Sequence, residues 1–146
     1  LVCRTNFNMP RRTSAGTDYN RVNLLMAVIE KRIGLHLGDC DAYINVAGGM
    51  RINEPALDMG IVLAVLSSYK NIAIDSKTIC FGEVGLVGEV RAVNQAEQRV
   101  IEAAKLGFDR CIMPKVNCDS LNIDSEQLKG MKLVGVKSIY ELLEVI

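Results

Sequence analysis

The chain has no tryptophan, a single histidine, three prolines, and just four tyrosines and three phenylalanines in 146 residues. With His36 as the sole imidazole, histidine-rich metal centres and any catalytic triad needing a second histidine are excluded. The scarcity of aromatics limits base stacking: Phe7 and Tyr19 are the rings near the basic N-terminal stretch, so stacking on them is expected to be a minor term. No apolar run reaches the ~18 residues of a membrane span, and no charged-then-apolar leader opens the sequence. The five cysteines (Cys3, Cys40, Cys80, Cys111, Cys118) are odd in number and lack C-x-x-C spacing. That pattern argues against a disulfide framework or a zinc site and for reduced, mostly buried thiols of a cytoplasmic protein. No phosphate-loop lysine motif occurs, so the chain alone is not expected to hydrolyse ATP. An initiator Met is also lacking, and the strand-like start at Leu1 predicts a domain excised from a longer protein.

What is present is a globular composition, 49% hydrophobic, in a length that fits one domain. Net charge is zero but polarised. Residues 1–36 hold six basic groups (Arg4, Arg11, Arg12, Arg21, Lys31, Arg32) against two acidic ones, a balance of +4, and the remainder holds eleven against fifteen, a balance of −4. Such polarity can present a basic face to nucleic acid, or it can be an ordinary solvated surface.

Residues 1–7 read as a short strand and residues 8–16, NMPRRTSAG, as a polar loop. An amphipathic helix is expected from Asn20 to about Leu37, with Val22, Leu25, Met26, Ile29 and Ile33 as its buried stripe and Arg21 and Arg32 flanking it. Residues 41–46 alternate as a strand. Asn53-Glu54-Pro55 starts a second helix running to about Tyr69 that is apolar almost all round, hence central. Residues 78–84 and 89–93 read as strands joined by a glycine turn. Asn94 with Glu97 predicts a capping box on a helix that Gly107 ends. A strand at 110–113, a polar stretch to Lys129, a strand at 131–136 and a final helix capped by Ser138 and Glu141 complete an α+β (mixed α/β) domain.

The Gly82, Gly85, Gly88 spacing is neither the dinucleotide fingerprint nor a phosphate loop and reads as turn and bulge glycines. Glu54 and Asp58 form a candidate carboxylate pair, although acidic residues near a helix N-terminus are expected for dipole reasons alone.

Residues 81–114, FGEVGLVGEVRAVNQAEQRVIEAAKLGFDRCIMP, resemble the proteolytic domain of Lon-type proteases. The stretches NMPRRTSAGTDYNRV, INVAGGMRINEPALD and FGEVGLVGEVRAV narrow the likeness to the Lon-like C-terminal domain of the RadA (Sms) family of bacterial DNA-repair ATPases. The resemblance implies a Lon-protease-like fold (ribosomal protein S5 domain 2-like). In active Lon domains a Pro-Ser pair opens a buried helix; counting from Gly82-Glu83, the nucleophile falls here on Ala56 and the catalytic lysine on Glu97. A methyl group cannot attack a carbonyl and a carboxylate cannot serve as the neutral amine base, so no peptidase activity is expected.

Arg11 and Arg12, beside the Thr13 and Ser14 hydroxyls, suit sequence-neutral phosphate contacts, and Arg21 can point the same way. Arg32, and Arg51 in the loop before Ala56, are further candidates for the DNA-binding set. Contact with a neighbouring subunit and a plain solvated face are the competing readings. The resemblance implies a longer protein with an N-terminal zinc module and a RecA-like ATPase core, so ATP, Mg and Zn belong to parts absent here. It also implies a homo-oligomeric ring, single-stranded or branched DNA as partner, and contact with a RecA-type recombinase. The expectation is a non-catalytic scaffold and DNA-binding element. The alternatives are a Lon-type serine peptidase with a rearranged site, or a pure protein-interaction module.

Overall fold

The structure, a computed structural model, describes residues 1–146. β1 (Val2–Arg4) and β2 (Arg12–Ala15) flank β3 (Cys40–Asn45) in a mixed sheet of order β1-β3-β2, with β1 antiparallel and β2 parallel to β3. The first strand is shorter than the sequence predicts. The expected loop at 8–16 contains β2, whose polar side chains alternate between half-buried and exposed. Arg12 and Thr13 are thus held in a ladder, not on a free loop.

Between β2 and β3 lies α1 (Tyr19–Ile33). The Asp18 carboxylate accepts from the Arg21 N–H at 2.7 Å to cap it. Gly34, at φ 78°, ends it four residues before the expected boundary, its N–H donating to the Glu30 carbonyl. Val22, Leu25, Met26 and Ile29 are buried as the periodicity predicts, while Ile33 packs at the margin.

Pro55–Leu57 forms a 3-10 turn leading into α2 (Asp58–Lys70), which is buried on nearly all sides through Met59, Ile61, Val62, Leu63, Val65 and Leu66. The expected strand at 78–84 breaks into β4 (Thr78–Cys80) and β5 (Glu83–Val84) around Gly82. A Cβ on Gly82 would collide with the Met59 side chain and crowd the Pro114 ring, so glycine lets the chain pass between them. β5 pairs with β6 (Val90–Arg91) in a short hairpin.

α3 (Ala96–Lys105) follows without the expected capping box: Gln95 sits at its N-cap with φ 59° and makes no side-chain cap. β7 (Arg110–Pro114) is the centre of a parallel sheet of order β4-β7-β8, where β8 is Lys132–Val136. The polar stretch before β8 holds two short helices, α4 (Lys115–Ser120) and α5 (Ser125–Leu128), the latter with a capping box from Asp124 and Gln127. The last helix, α6 (Ile139–Leu142), is a single turn; Ser138 makes no side-chain cap, and the Glu141 carboxylate accepts from the Lys137 N–H instead.

Strand alternation divides the interior in two. Ile112 on β7 faces a large apolar cluster built on α1, α2 and the first sheet, while its neighbours Cys111 and Met113 face a smaller one with Val100, Ala103 and Phe81. The segment entering α2 bridges the clusters, since Ala56 lies in the second and Met59 in the first. The fold is α+β, with helices and three small sheets in one domain. No helix is long and apolar enough to cross a membrane.

Candidate functional site

The residue assigned to the nucleophile position, Ala56, is buried at the foot of a cleft of about 260 Å³ lined by Glu54, Pro55, Glu83, Ala92, Val93 and Asn94. Backbone bonds fix its surroundings. The Gly82 N–H donates to the Ala56 carbonyl at 2.8 Å, and the Met59 N–H donates to the Gly82 carbonyl at 3.0 Å. The 81–84 segment therefore lies stitched against the start of α2. No hydroxyl, thiol, imidazole or amine side chain lines this cleft.

Glu97, assigned to the base position, does not line it either. Its Oε1 accepts from the Asn122 N–H at 2.9 Å and so ties α3 to the chain after α4. This contact replaces the role in its own helix cap that the spacing suggests.

Two ion pairs bracket Ala56. On one side the Arg21 guanidinium grips Asp58 with two hydrogen bonds, Nε to Oδ1 at 2.9 Å and Nη2 to Oδ2. Nη2 also donates to the Val84 carbonyl at 3.0 Å, and Asp58 Oδ2 accepts from the Val84 N–H at 3.0 Å. The Asp58 side chain is 2% exposed and that of Arg21 33% exposed. Hydrogen bonding to Asp58 raises the Arg21 pKa, keeping it charged. On the other side Arg99 of α3 pairs with Glu54 and donates from Nε to the Asn94 carbonyl at 3.0 Å. Glu54 and Asp58, the candidate carboxylate pair, are thus each matched to a guanidinium, which suits anchoring rather than proton transfer.

The five candidate arginines occupy different settings. Arg11 is exposed, its guanidinium 4.1 Å from the centroid of the Phe7 ring while its backbone N–H is held by Asp41 Oδ1 at 2.7 Å. Arg12 is half-buried and donates from Nη2 to the Leu37 carbonyl at 2.8 Å. Arg21 is occupied by Asp58. Arg32 is half-buried, with its stem beside the Gly88 turn of the β5–β6 hairpin. Arg51 is exposed in the loop between β3 and the 3-10 turn and makes no ion pair. The structure therefore leaves Arg11 and Arg51 exposed and without an ion pair, ties Arg12 and Arg21 by hydrogen bonds, and half-buries Arg32, whose Nε has no hydrogen-bond partner.

Sequence reasoning missed Arg99 and the role of Asp58. Arg21 and Asp58 lie 37 positions apart, so no local spacing signals their pairing.

The cysteines do not assemble into a site. Burial pushes the Cys80 and Cys111 thiols up to about 12, so neither offers a thiolate near neutral pH. Cys3 is exposed. No group of three or more His, Cys, Asp or Glu side chains is arranged to hold a metal ion.

Comparison with known proteins adds identity to this geometry. Residues 18–117 match the family described as "ChlI: Subunit ChlI of Mg-chelatase". The chain is 47% identical over 145 residues to the DNA repair protein RadA of Halalkalibacterium halodurans, covering 99% of this chain and 31% of that protein. It is 48% identical over 143 residues to RadA of Bacillus subtilis, covering 98% of this chain and 30% of that protein. With RadA of Streptococcus pneumoniae it shares 43% over 144 residues, covering 99% of this chain and 33% of that protein. The chain thus spans about a third of the length of these curated relatives. It belongs to the ChlI family of domains and is similar, over 98% or more of its length, to the C-terminal region of the RadA DNA repair proteins.

Proposed function

We propose that this chain is the non-catalytic Lon-like unit of a RadA-type DNA repair protein, serving as an assembly scaffold and a sequence-neutral DNA-binding element. The observation that carries this reading is the Ala56 cleft, whose lining offers no hydroxyl or thiol nucleophile and no amine or imidazole base, and whose carboxylates Glu54 and Glu83 are each paired with an arginine. In this reading the domain is one part of a longer protein with an N-terminal zinc module and a RecA-like ATPase. That ATPase drives strand movement during recombination, the Lon-like units close into a ring, and a RecA-type recombinase is a further partner.

DNA contact falls to the free guanidiniums. Arg11 and Arg51 reach phosphates directly, while the hydrogen-bonded Arg12 and Arg21 and the half-buried Arg32 add positive potential. The experiment is charge reversal at Arg11 and Arg51, with single-strand affinity and assembly size measured on the same samples. Loss of affinity in an assembly of unchanged size supports the reading, and unchanged affinity overturns it. Arg21 is left unaltered because its replacement would strand the buried Asp58 carboxylate.

The peptidase alternative finds no support in the cleft lining. Incubating concentrated protein with fluorogenic peptides tests it, and the expected result is no turnover.

A further inference from the structure

A second cleft, of about 550 Å³, opens between the β2–α1 turn and the loop at 47–51, a size within the ~300–1,000 Å³ typical of small-ligand clefts. It is built rather than incidental. Gly16 turns there at φ 82°, and a Cβ on it would come within 2.8 Å of both the Met50 carbonyl oxygen and Val46 Cβ. The Val46 N–H donates to the Ala15 carbonyl at 2.9 Å and the Ile52 N–H to the Gly16 carbonyl at 2.7 Å. The loop between these bonds is pinned at its base and projects as a small lobe.

The groups lining the cleft are of the kinds that bind a nucleotide. Arg51 brings an exposed guanidinium with no carboxylate partner. Tyr19, at the first position of α1, is 49% exposed and lines the cleft. Met50, 61% exposed, adds an apolar surface, and Thr17 and Asn45 add polar side chains. The N–H of Gly49 has no backbone acceptor. The one acidic side chain in the lining, Asp18, is turned to its own helix, where it accepts from the Arg21 N–H.

We propose that this cleft receives one unstacked nucleotide of single-stranded DNA, its base against the Tyr19 ring and its phosphate on Arg51. The proposal rests on the DNA-binding reading above and sharpens it. A duplex keeps its bases stacked and cannot offer a free face to Tyr19, so the site favours single strands. The scarcity of aromatics does not oppose this, because one placed ring suffices for one base.

The test compares binding of a fluorescent oligo-dT and a blunt duplex to the unaltered chain and to Tyr19→Ala, Tyr19→Phe and Arg51→Gln. Tyr19→Ala is expected to weaken oligo-dT binding on the order of tenfold while leaving duplex binding unchanged, and Tyr19→Phe to restore it. Arg51→Gln is expected to weaken binding and to flatten its salt dependence by about 0.7 in the log–log slope. Oligo-dT affinity unchanged in Tyr19→Ala, or an equal loss on the duplex, overturns the cleft proposal but leaves general DNA binding standing. Absence of binding by the unaltered chain overturns both.

Discussion

Asp58 is the residue on which the local structure most depends, because its buried carboxylate has Arg21 as its one charged partner. Asp58→Ala removes the acceptor for the Arg21 guanidinium and the Val84 N–H together. The expected loss is about 3 kcal/mol, at the low end for breaking a buried pair because Arg21 keeps some solvent contact, read as a shift in the urea midpoint at constant slope. The cysteines give a second prediction at this scale. Thiol alkylation of the folded chain at neutral pH should modify Cys3 and leave Cys80 and Cys111 untouched. Their raised values also set a direction for alkaline pH. Between the ordinary 9.0 and about 12 the unfolded chain releases protons that the folded chain retains, so stability contributed by these thiols falls as pH rises through that window. Thermal melts of the folded chain across this range are expected to fall more steeply than those of a Cys80→Ala, Cys111→Ala variant.

At the scale of elements, the chain reveals what its periodicity encodes. The stripe of α1 and the all-round apolarity of α2 are legible because burial repeats with the helical period. β2 is hidden because Arg12, Thr13 and Ser14 are polar residues on an edge strand, where one side faces solvent. α4 and α5 escape notice because each is too short for a period to emerge from a polar background. The Asn94–Glu97 spacing misleads because Gln95 adopts φ 59° and shifts the helix start by one residue, freeing Glu97 to bind Asn122. The ion pairs on either side of Ala56 are not legible in the sequence, since they join residues 37 and 45 positions apart. Gly16 supplies the prediction for this scale. Gly16→Ala combines a positive φ with crowding by Met50 and Val46, and should cost about 1–3 kcal/mol, measured by thermal unfolding, with disorder of the cleft lobe.

For the whole molecule, two apolar clusters on either side of β7 organise the interior. The segment carrying Ala56 joins both clusters and is clamped by α1 through Arg21 and by α3 through Arg99. Its structural task is independent of any nucleophile. On the surface Arg11 and Arg51 make no ion pair, while Glu54 and Glu83, the carboxylates lining the Ala56 cleft, are paired with Arg99 and Arg91. The central claim is therefore electrostatic and is tested most directly by the salt dependence of single-strand binding. Titrations at several ionic strengths should show affinity falling steeply with salt, and the Arg11→Glu, Arg51→Glu variant should lower the log–log slope by at least about 1.4, the amount expected for two lost phosphate contacts. An affinity indifferent to salt, or a slope unchanged by the double variant, would contradict the account.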